Sequence, residues 1–233
     1  MSTESEDQPT DAAAPPGART EVTPDGVRGR ILAAAEERFI RYGFGKTTMA
    51  EIAADCGMSA ANLYRYFASK GDIGAAGGEQ WFDQLVVHLL SVAEDQTIAP
   101  AEKLGAVVRA KLQALGDLVE GQPHLEELIE HVCQAREDIV IEHRTAMVGI
   151  YTGIIETGIA SGDFDVDDAH AAADAFQAGT MGFFHHALIC SIPFDQLRAD
   201  AGKVVALMVR GLGHGRMSGI ATADPISKDS END

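Results

Sequence analysis

The sequence lacks the features that mark membrane-spanning, secreted and disulfide-stapled proteins. No apolar run approaches the roughly 18 residues of a transmembrane helix, and the N-terminus is acidic where a signal peptide would be basic and then apolar. The three cysteines, Cys56, Cys133 and Cys190, are far apart and show no Cys-x-x-Cys spacing, which argues against a disulfide framework and a zinc ribbon. We therefore expect a soluble cytoplasmic protein.

Basic residues are scarce, and their distribution along the chain matters more than their number. The chain has 18 Lys and Arg against 36 Asp and Glu, a formal net charge of −18. Residues 27–71 nevertheless carry seven basic residues against four acidic ones, whereas residues 1–26 carry one against six and residues 72–233 carry ten against 26. A basic segment can still contact phosphates locally, because salt confines interactions between exposed charges to about 10 Å at ~0.1 M.

Strand-like alternation is absent, and apolar residues recur at helical spacing through almost every segment between two polar ends. This pattern predicts an all-α fold of about nine helices. The polar composition of residues 1–26 and 217–233 predicts disordered tails. Between the tails we expect one domain over 27–71 and a second over 72–216. The predicted helices are 27–42, 48–55, 59–66, 70–95, 100–120, 123–136, 138–161, 167–190 and 194–214.

The segment 46–70 places three helix starts and a turn glycine within a short span. The residues that can cap these helices are Thr48 with Glu51, Ser59, and Ser69 with Asp72. Ala53 is small enough for two helices to cross closely, Gly57 can adopt the left-handed conformation of a tight turn, and Leu63 fills the core between them. This spacing is what a helix-turn-helix requires, because its second helix must be held rigidly to enter the major groove of DNA.

The run from Arg30 to Ile73 resembles the DNA-binding domain of tetracycline-repressor-type (TetR) regulators. The resemblance is carried by Tyr42-Gly43-Phe44, Thr47-Thr48, Ile52-Ala53, Gly57, Ser59, Leu63-Tyr64, Phe67 and Ser69-Lys70. It implies a homodimer on two half-sites of operator DNA and a helical C-terminal domain that dimerises and binds a small-molecule effector. The predicted function is therefore a ligand-responsive transcriptional repressor, without catalytic residues, cofactor or metal.

The resemblance also implies which side chains contact DNA. Phosphate contacts would come from Thr47 or Thr48, Tyr64, Tyr66 and Lys70. Groove-facing positions would be Ser59, Ala60, Ala61, Asn62 and Arg65. The first group positions the protein and the second specifies sequence, with Asn62 suited to adenine and Arg65 to guanine.

An effector site needs apolar walls and a few polar groups. The inward-facing candidates are Trp81, Leu85, His88, Leu115, Ile129, Cys133, Met147, Tyr151, Phe176, Thr180, Phe183 and Phe184. The excess of acidic over basic residues in 72–233 favours a mostly apolar ligand over a multiply anionic one. Plain core packing stays open for each candidate. A metal site also stays open as an alternative, since Glu127 and His131 lie four residues apart on one helix face and His143, His185 and His186 could approach them in space.

Two further alternatives remain open from the residues alone. The glycines near the start of the fourth helix, Gly74 and Gly77 among them, could make it a soft link that a ligand shifts, or could simply permit close packing. A helical enzyme or a DNA-binding protein without an effector would also fit an all-α fold. Neither Gly-x-Ser-x-Gly nor His-Glu-x-x-His occurs, and the long C-terminal region exceeds what dimerisation needs.

Overall fold

The computed structural model describes residues 24–213 except 121 and 123, and the regular structure in these residues is helical throughout. The α-helices are α1 Pro24–Tyr42, α2 Met49–Asp55, α3 Ala60–Leu63, α4 Lys70–Ala93, α5 Pro100–Val119, α6 Leu125–Ala135, α7 Glu137–Ser161, α8 Ala169–Thr180, α9 His186–Ser191 and α10 Phe194–Gly213. A 3-10 helix, Met181–Phe184, joins α8 to α9. The predicted all-α class is confirmed. Of the predicted tails, 1–26 and 217–233, residues 1–23 and 217–233 lie outside the described residues.

The helices bury two hydrophobic cores. The first lies in what we call the head, which comprises α1, α2, α3 and the chain up to Ser69. The predicted apolar stripe of α1 is buried there with side chains of α2, α3 and the turn that follows α3: Val27, Ile31, Ala35, Phe39, Ile52, Ala53, Leu63 and Phe67. Ile73 of α4 completes this core. Burial of each large apolar side chain contributes about 1.5–3 kcal/mol, which holds the short helices together.

The second core lies in what we call the body, which comprises α5 to α10. Its centre is fully buried and includes Leu104, Leu112, Met147, Tyr151 and Phe176. Helix α4 belongs to both parts, because Ile73 near its start packs in the head while Leu85 and Leu89 pack in the body. This one helix therefore links the head covalently and mechanically to the body.

Several helix boundaries differ from the predictions. Helix α1 begins at Pro24, a residue suited to the first turn because its missing N–H has no partner there, so residues 24–26 are helical rather than part of a tail. The helix predicted over 167–190 is divided, because the backbone tightens into the 3-10 helix and is extended at His185 (φ −76°, ψ 126°). Only Arg136 separates α6 from α7.

Three glycines of the described residues have left-handed backbone: Gly43 (φ +92°), directly after α1, and two that turn or end later helices. Gly57 has φ +66° in the turn between α2 and α3, as its position in the sequence predicted. Gly162 has φ +82° and ends α7. Residues with a Cβ rarely adopt this conformation, so glycine fixes the direction of the chain at these points. Among the described helices, none has the length and apolar character that crossing a bilayer would take.

Candidate DNA-binding surface and effector cavity

Side-chain caps fix where α2, α3 and α4 begin. The Glu51 N–H donates to Thr48 Oγ1 (3.3 Å), and the Thr48 N–H donates to Glu51 Oε2 (2.9 Å), so the predicted capping box is confirmed. Ser59 Oγ accepts from the Asn62 N–H (3.2 Å) and Ser69 Oγ from the Asp72 N–H (3.1 Å). Each cap stabilises its helix by about 1 kcal/mol. The serine and threonine spacing therefore sets where these helices begin.

The second helix of the helix-turn-helix is shorter than predicted. Helix α3 covers Ala60–Leu63, and the chain then continues in tight turns in which the Arg65 N–H donates to the Asn62 carbonyl (3.2 Å). Leu63 is fully buried, whereas Tyr64 is 54% exposed and Arg65 is exposed. The buried leucine anchors this turn while its polar side chains face outward.

Two arginines of α1 brace this unit. The Arg28 guanidinium donates to the Tyr66 carbonyl (3.0 Å) and lies 4.2 Å from the centroid of the Phe67 ring. Arg38 forms a bidentate pair with Asp55 at the end of α2, and its hydrogen bond lowers the pKa of that carboxyl. These contacts fix α1 against the ends of both short helices, so the three helices form one rigid unit.

Two residues predicted to contact phosphates, Thr47 and Lys70, form hydrogen bonds with backbone carbonyls of the loop between α1 and α2. Thr47 is buried, and its hydroxyl donates to the Gly43 carbonyl (2.9 Å), so Thr48 is the exposed member of the threonine pair. Lys70 Nζ donates to the carbonyls of Phe44 (2.7 Å), Thr47 (3.1 Å) and Gly45 (3.2 Å). These bonds use all three of its donors to satisfy the loop between α1 and α2.

The other predicted DNA contacts lie on one edge of the head. Thr48, Ser59, Ala61, Tyr64 and Arg65 are exposed, and Ala60, Asn62 and Tyr66 are half-buried. In the described part of the chain, the Arg65 side chain has no hydrogen bond or ion pair. Its guanidinium is therefore available for an external acceptor.

A cavity of about 290 Å³ lies between the head and the body. Its walls come from α1, α4, α5 and α6 and include Leu32, Phe39, Gly77, Trp81, Phe82, Leu115, Leu118, Leu128, Ile129 and Val132. The polar groups on this lining are few: Glu36 of α1 and Gln80 and Gln84 of α4. An apolar cavity of this size suits a small organic molecule.

The structure brings together four of the predicted ligand-binding residues. Trp81, Leu115, Ile129 and Cys133 line the cavity. Seven others pack in or against the body core instead: Leu85, Met147, Tyr151, Phe176, Thr180, Phe183 and Phe184. The prediction for His88 was wrong, because its side chain is exposed and Leu89 takes the inward position on that turn of α4. The contribution of α1 was not predicted, because its apolar stripe already accounted for the head core.

Helix α6 carries the contacts between body and head. The His131 ring stacks on Phe44 with centroids 4.4 Å apart, and the Glu127 carboxylate lies against Gly45. These two side chains therefore face the head loop, and among the described residues no three His, Cys, Asp or Glu side chains converge as metal ligands would.

The glycines of α4 allow α6 to approach closely. A Cβ at Gly74 would lie 2.9 Å from Leu128 Cδ1, and one at Gly78 would lie 3.1 Å from Val132 Cγ1. At Gly77 a Cβ would meet nothing within 4 Å, and this residue lines the cavity. Close packing therefore accounts for two of these glycines but not for Gly77.

Comparisons with known proteins agree with this arrangement. Residues 31–76 match the family described as "Bacterial regulatory proteins, tetR family", and residues 100–205 match "Tetracyclin repressor-like, C-terminal domain". The probable HTH-type transcriptional regulator ArpR of Pseudomonas putida is 26% identical over 176 residues, covering 70% of this chain and 82% of ArpR. The HTH-type transcriptional regulator TtgR, also of Pseudomonas putida, is 25% identical over 175 residues, with the same coverage.

Solved structures show the same fold. A transcriptional regulator from Cytophaga hutchinsonii superposes with a TM-score of 0.67 at 24% identity, covering 81% of this chain and all of that one. Together the two family matches span most of the described residues, including the helix-turn-helix and most of the body. The chain therefore belongs to the TetR family, whose members are DNA-binding transcriptional regulators and not enzymes.

Proposed function

We propose that this chain is a repressor that binds a palindromic operator as a homodimer and is released by a small, mostly apolar effector held between head and body. The observation that carries the proposal is that α1 of the head forms one wall of the cavity. A molecule in this cavity contacts the DNA-binding unit directly, because Leu32 and Phe39 belong to the same helix that Arg28 and Arg38 fix to α2 and α3.

For DNA recognition, we propose that Ser59, Ala60, Ala61, Asn62 and Arg65 face the major groove while Thr48, Tyr64 and Tyr66 contact phosphates. The exposure of Tyr64 and Arg65 on a rigidly capped turn supports this assignment. Arg65 can donate two parallel hydrogen bonds to guanine, a contact worth about 1–3 kcal/mol of discrimination between bases.

For dimerisation, we propose that α8 and α10 of two protomers form a four-helix interface. Helix α8 exposes a row of small residues, Ala171, Ala175, Ala178 and Gly179, which would let a second helix approach closely. On α10, Leu207 is 70% exposed, an unusual position for a large apolar side chain unless another surface covers it. Such a dimer fixes the distance between two heads, and operator binding depends on that distance.

Release follows from the position of the cavity. A ligand that wedges α1 away from α6 would tilt the head on α4 and change the spacing of the two recognition turns. Because half-sites lie about one turn of DNA apart, a small change in this spacing prevents both heads from docking together. The effector then needs only a higher affinity for the tilted state than for the DNA-bound state.

Selection of duplexes from a random DNA library by the purified protein tests the DNA-binding half of the proposal. We expect a palindromic consensus, loss of preference at one base pair per half-site in Arg65→Ala, and partial loss in Arg65→Lys, which keeps the charge but not the paired donors. Arg109→Ala in α5 removes the same charge from an exposed position of the body and should leave the consensus unchanged. An Arg65→Ala consensus identical to that of the parent would refute the assignment.

A screen of small apolar compounds tests the second half of the proposal, that an effector releases the protein from its operator. Compounds that raise the melting temperature should also release the selected operator, because ligand binding stabilises the folded state and favours the tilted head. A monomer in sedimentation at micromolar concentration, or stabilising compounds that leave DNA binding unchanged, would contradict the proposal.

A further inference from the structure

Several polar side chains are buried in the body without a matching polar group. Lys111 of α5 is 4% exposed, and its ammonium lies against the Phe184 ring, 4.2 Å from the centroid. Both ring nitrogens of His143 on α7 are buried with no hydrogen-bond partner in the described residues. Leaving such groups unpaired costs about 1–3 kcal/mol each, and native proteins rarely do so without reason.

These groups lie beside the cavity. Phe82 lines the cavity and also stacks on His143, with ring centroids 4.5 Å apart. Leu115 lines the cavity and follows Lys111 by about one turn of α5, so the two side chains lie near the same face of that helix. Lys111 on α5 and His143 on α7 are therefore each adjacent to a residue that lines the cavity, and burial together with the Lys111 charge lowers the pKa of His143. We call Lys111 and His143 the polar cluster.

We propose that the effector is an amphipathic monocarboxylic acid whose apolar body fills the cavity and whose carboxylate binds the polar cluster once the Phe82 ring turns aside. This inference rests on the proposed function, because it names the chemical class of the effector held between head and body. Lys111 supplies a positive charge, and His143 can donate one hydrogen bond. One carboxylate therefore supplies acceptors for both groups.

The charges around the cluster favour an acid over an amine or an alcohol. No carboxylate of the protein pairs with Lys111 in the described residues, and Glu36, the acidic residue on the cavity lining, is exposed. Burial lowers the pKa of Lys111 to about 7, because little around the ammonium replaces the water that would solvate it. A bound carboxylate would stabilise the charged form of Lys111, whereas the ammonium group of an amine would be repelled by it. A hydroxyl group carries no charge to pair with Lys111, so it would meet only part of what the cluster needs.

The fluorescence of Trp81 provides a local measurement, because it is the single tryptophan of the chain and lines the cavity. Octanoate and octan-1-ol have the same apolar body and differ in the head group. At neutral pH we expect octanoate to change Trp81 emission with an affinity at least about tenfold higher than that of octan-1-ol, because charge-assisted hydrogen bonds are the stronger ones.

Lys111→Met should remove this preference by lowering octanoate affinity roughly tenfold while leaving octan-1-ol affinity within about twofold. Methionine keeps the length and apolar stem of the side chain, so we expect the variant to fold. Lys103→Met is the matched control, because Lys103 is equally buried on α5 but lies close enough to Asp95 to influence it electrostatically. His143→Leu provides a second variant and should weaken octanoate binding selectively.

Absence of octanoate binding, equal affinities for the two compounds in the parent, or an equal loss of both in Lys111→Met would overturn the inference. This measurement needs no DNA, so its outcome is separate from that of the proposed function. Octanoate that binds with the expected preference but leaves the operator complex intact would contradict effector-controlled release while supporting the head-group assignment.

Discussion

The His131 ring of α6 stacks on the Phe44 ring of the head at a centroid distance of 4.4 Å and an interplanar angle of 31°. Phe44 also contacts the Phe39 ring at 5.1 Å and lies 4.6 Å from the Lys70 ammonium. One aromatic ring in the loop between α1 and α2 is therefore held by α1, α4 and α6 together. A movement of α6 would therefore also move this loop.

Replacing His131 by alanine should lower the free energy of unfolding by about 1–2 kcal/mol, because it removes the stacking contact and leaves a void beside Phe44. Urea titration measures this change. Gln134→Ala is the control, since that side chain is exposed and bonds only to Glu130 on its own helix. Equal stability of the two variants would show that the ring contact does not hold the head to the body.

Lys70→Met should lower the free energy of unfolding by about 2 kcal/mol, because three loop carbonyls lose a charged donor. Lys46→Met removes the same charge from an exposed position of that loop and should leave stability nearly unchanged. Chemical denaturation compares the two. If Lys70→Met were as stable as the parent, the loop contacts of Lys70 would not matter for stability, and the phosphate contact predicted from the sequence would be favoured again.

Gly57→Ala should cost about 1–2 kcal/mol, because alanine is strained at the positive φ of the turn between α2 and α3. Gly149→Ala in α7 should instead stabilise by roughly 0.5–1 kcal/mol, since a Cβ there meets nothing within 4 Å and alanine favours the helix. Thermal unfolding of both variants gives the comparison. Stabilisation of the Gly57 variant would mean that the turn has a different conformation.

The paired substitutions Gly74→Ala and Gly77→Ala separate close packing from flexibility in α4. We expect Gly74→Ala to destabilise by pushing on Leu128, and Gly77→Ala to stabilise by about 0.5–1 kcal/mol. If flexibility of α4 also transmits the ligand signal, Gly77→Ala should reduce operator release by a saturating effector. Unchanged release in this variant would exclude a hinge at that position.

Acid should destabilise the protein through His143. Burial, with the Lys111 charge, lowers the pKa of His143 from 6.5 to about 3, so below pH 6.5 the unfolded chain binds a proton that the folded chain does not. The free energy of unfolding therefore falls as pH decreases, by up to about 1.4 kcal/mol per pH unit for this group. His143→Leu should reduce that slope.

The interval from about pH 6 down to about 5 suits this measurement. It lies below the pKa of about 7 that burial gives Lys111, and the carboxyls of Glu51 and Asp55, whose pKa values are lowered from 4.5 and 3.8, add their own losses only at lower pH. Urea titrations at a series of pH values give the slope. An identical slope in the parent and in His143→Leu would show that His143 is protonated equally in both states.

The head could be predicted closely from the sequence because its signals are local. The caps at Thr48, Ser59 and Ser69 and the turn at Gly57 each depend on residues within a few positions of one another. The buried roles of Thr47 and the Lys70 side chain could not be predicted in this way, because they depend on which loop carbonyls remain unpaired after folding.

The effector cavity was predicted only in part because it is assembled from four helices. Helical spacing places Trp81 and Leu115 on inward faces, but it does not tell which inward residues border a void and which pack into solid core, as Tyr151 and Phe176 do. The wall formed by Leu32 arises from the way α1 lies across α4 and α6, which is a property of the tertiary fold.

The shared wall of the cavity has a consequence for redesigning this protein as a sensor. Substitutions at Leu32 or Phe39 would alter compound selectivity and operator affinity together, since α1 serves both. Substitutions at Leu115 or Leu118 on α5 face the same compound from the side remote from the head. Libraries confined to α5 would therefore be the most direct route to new inducers with the original target sequence retained.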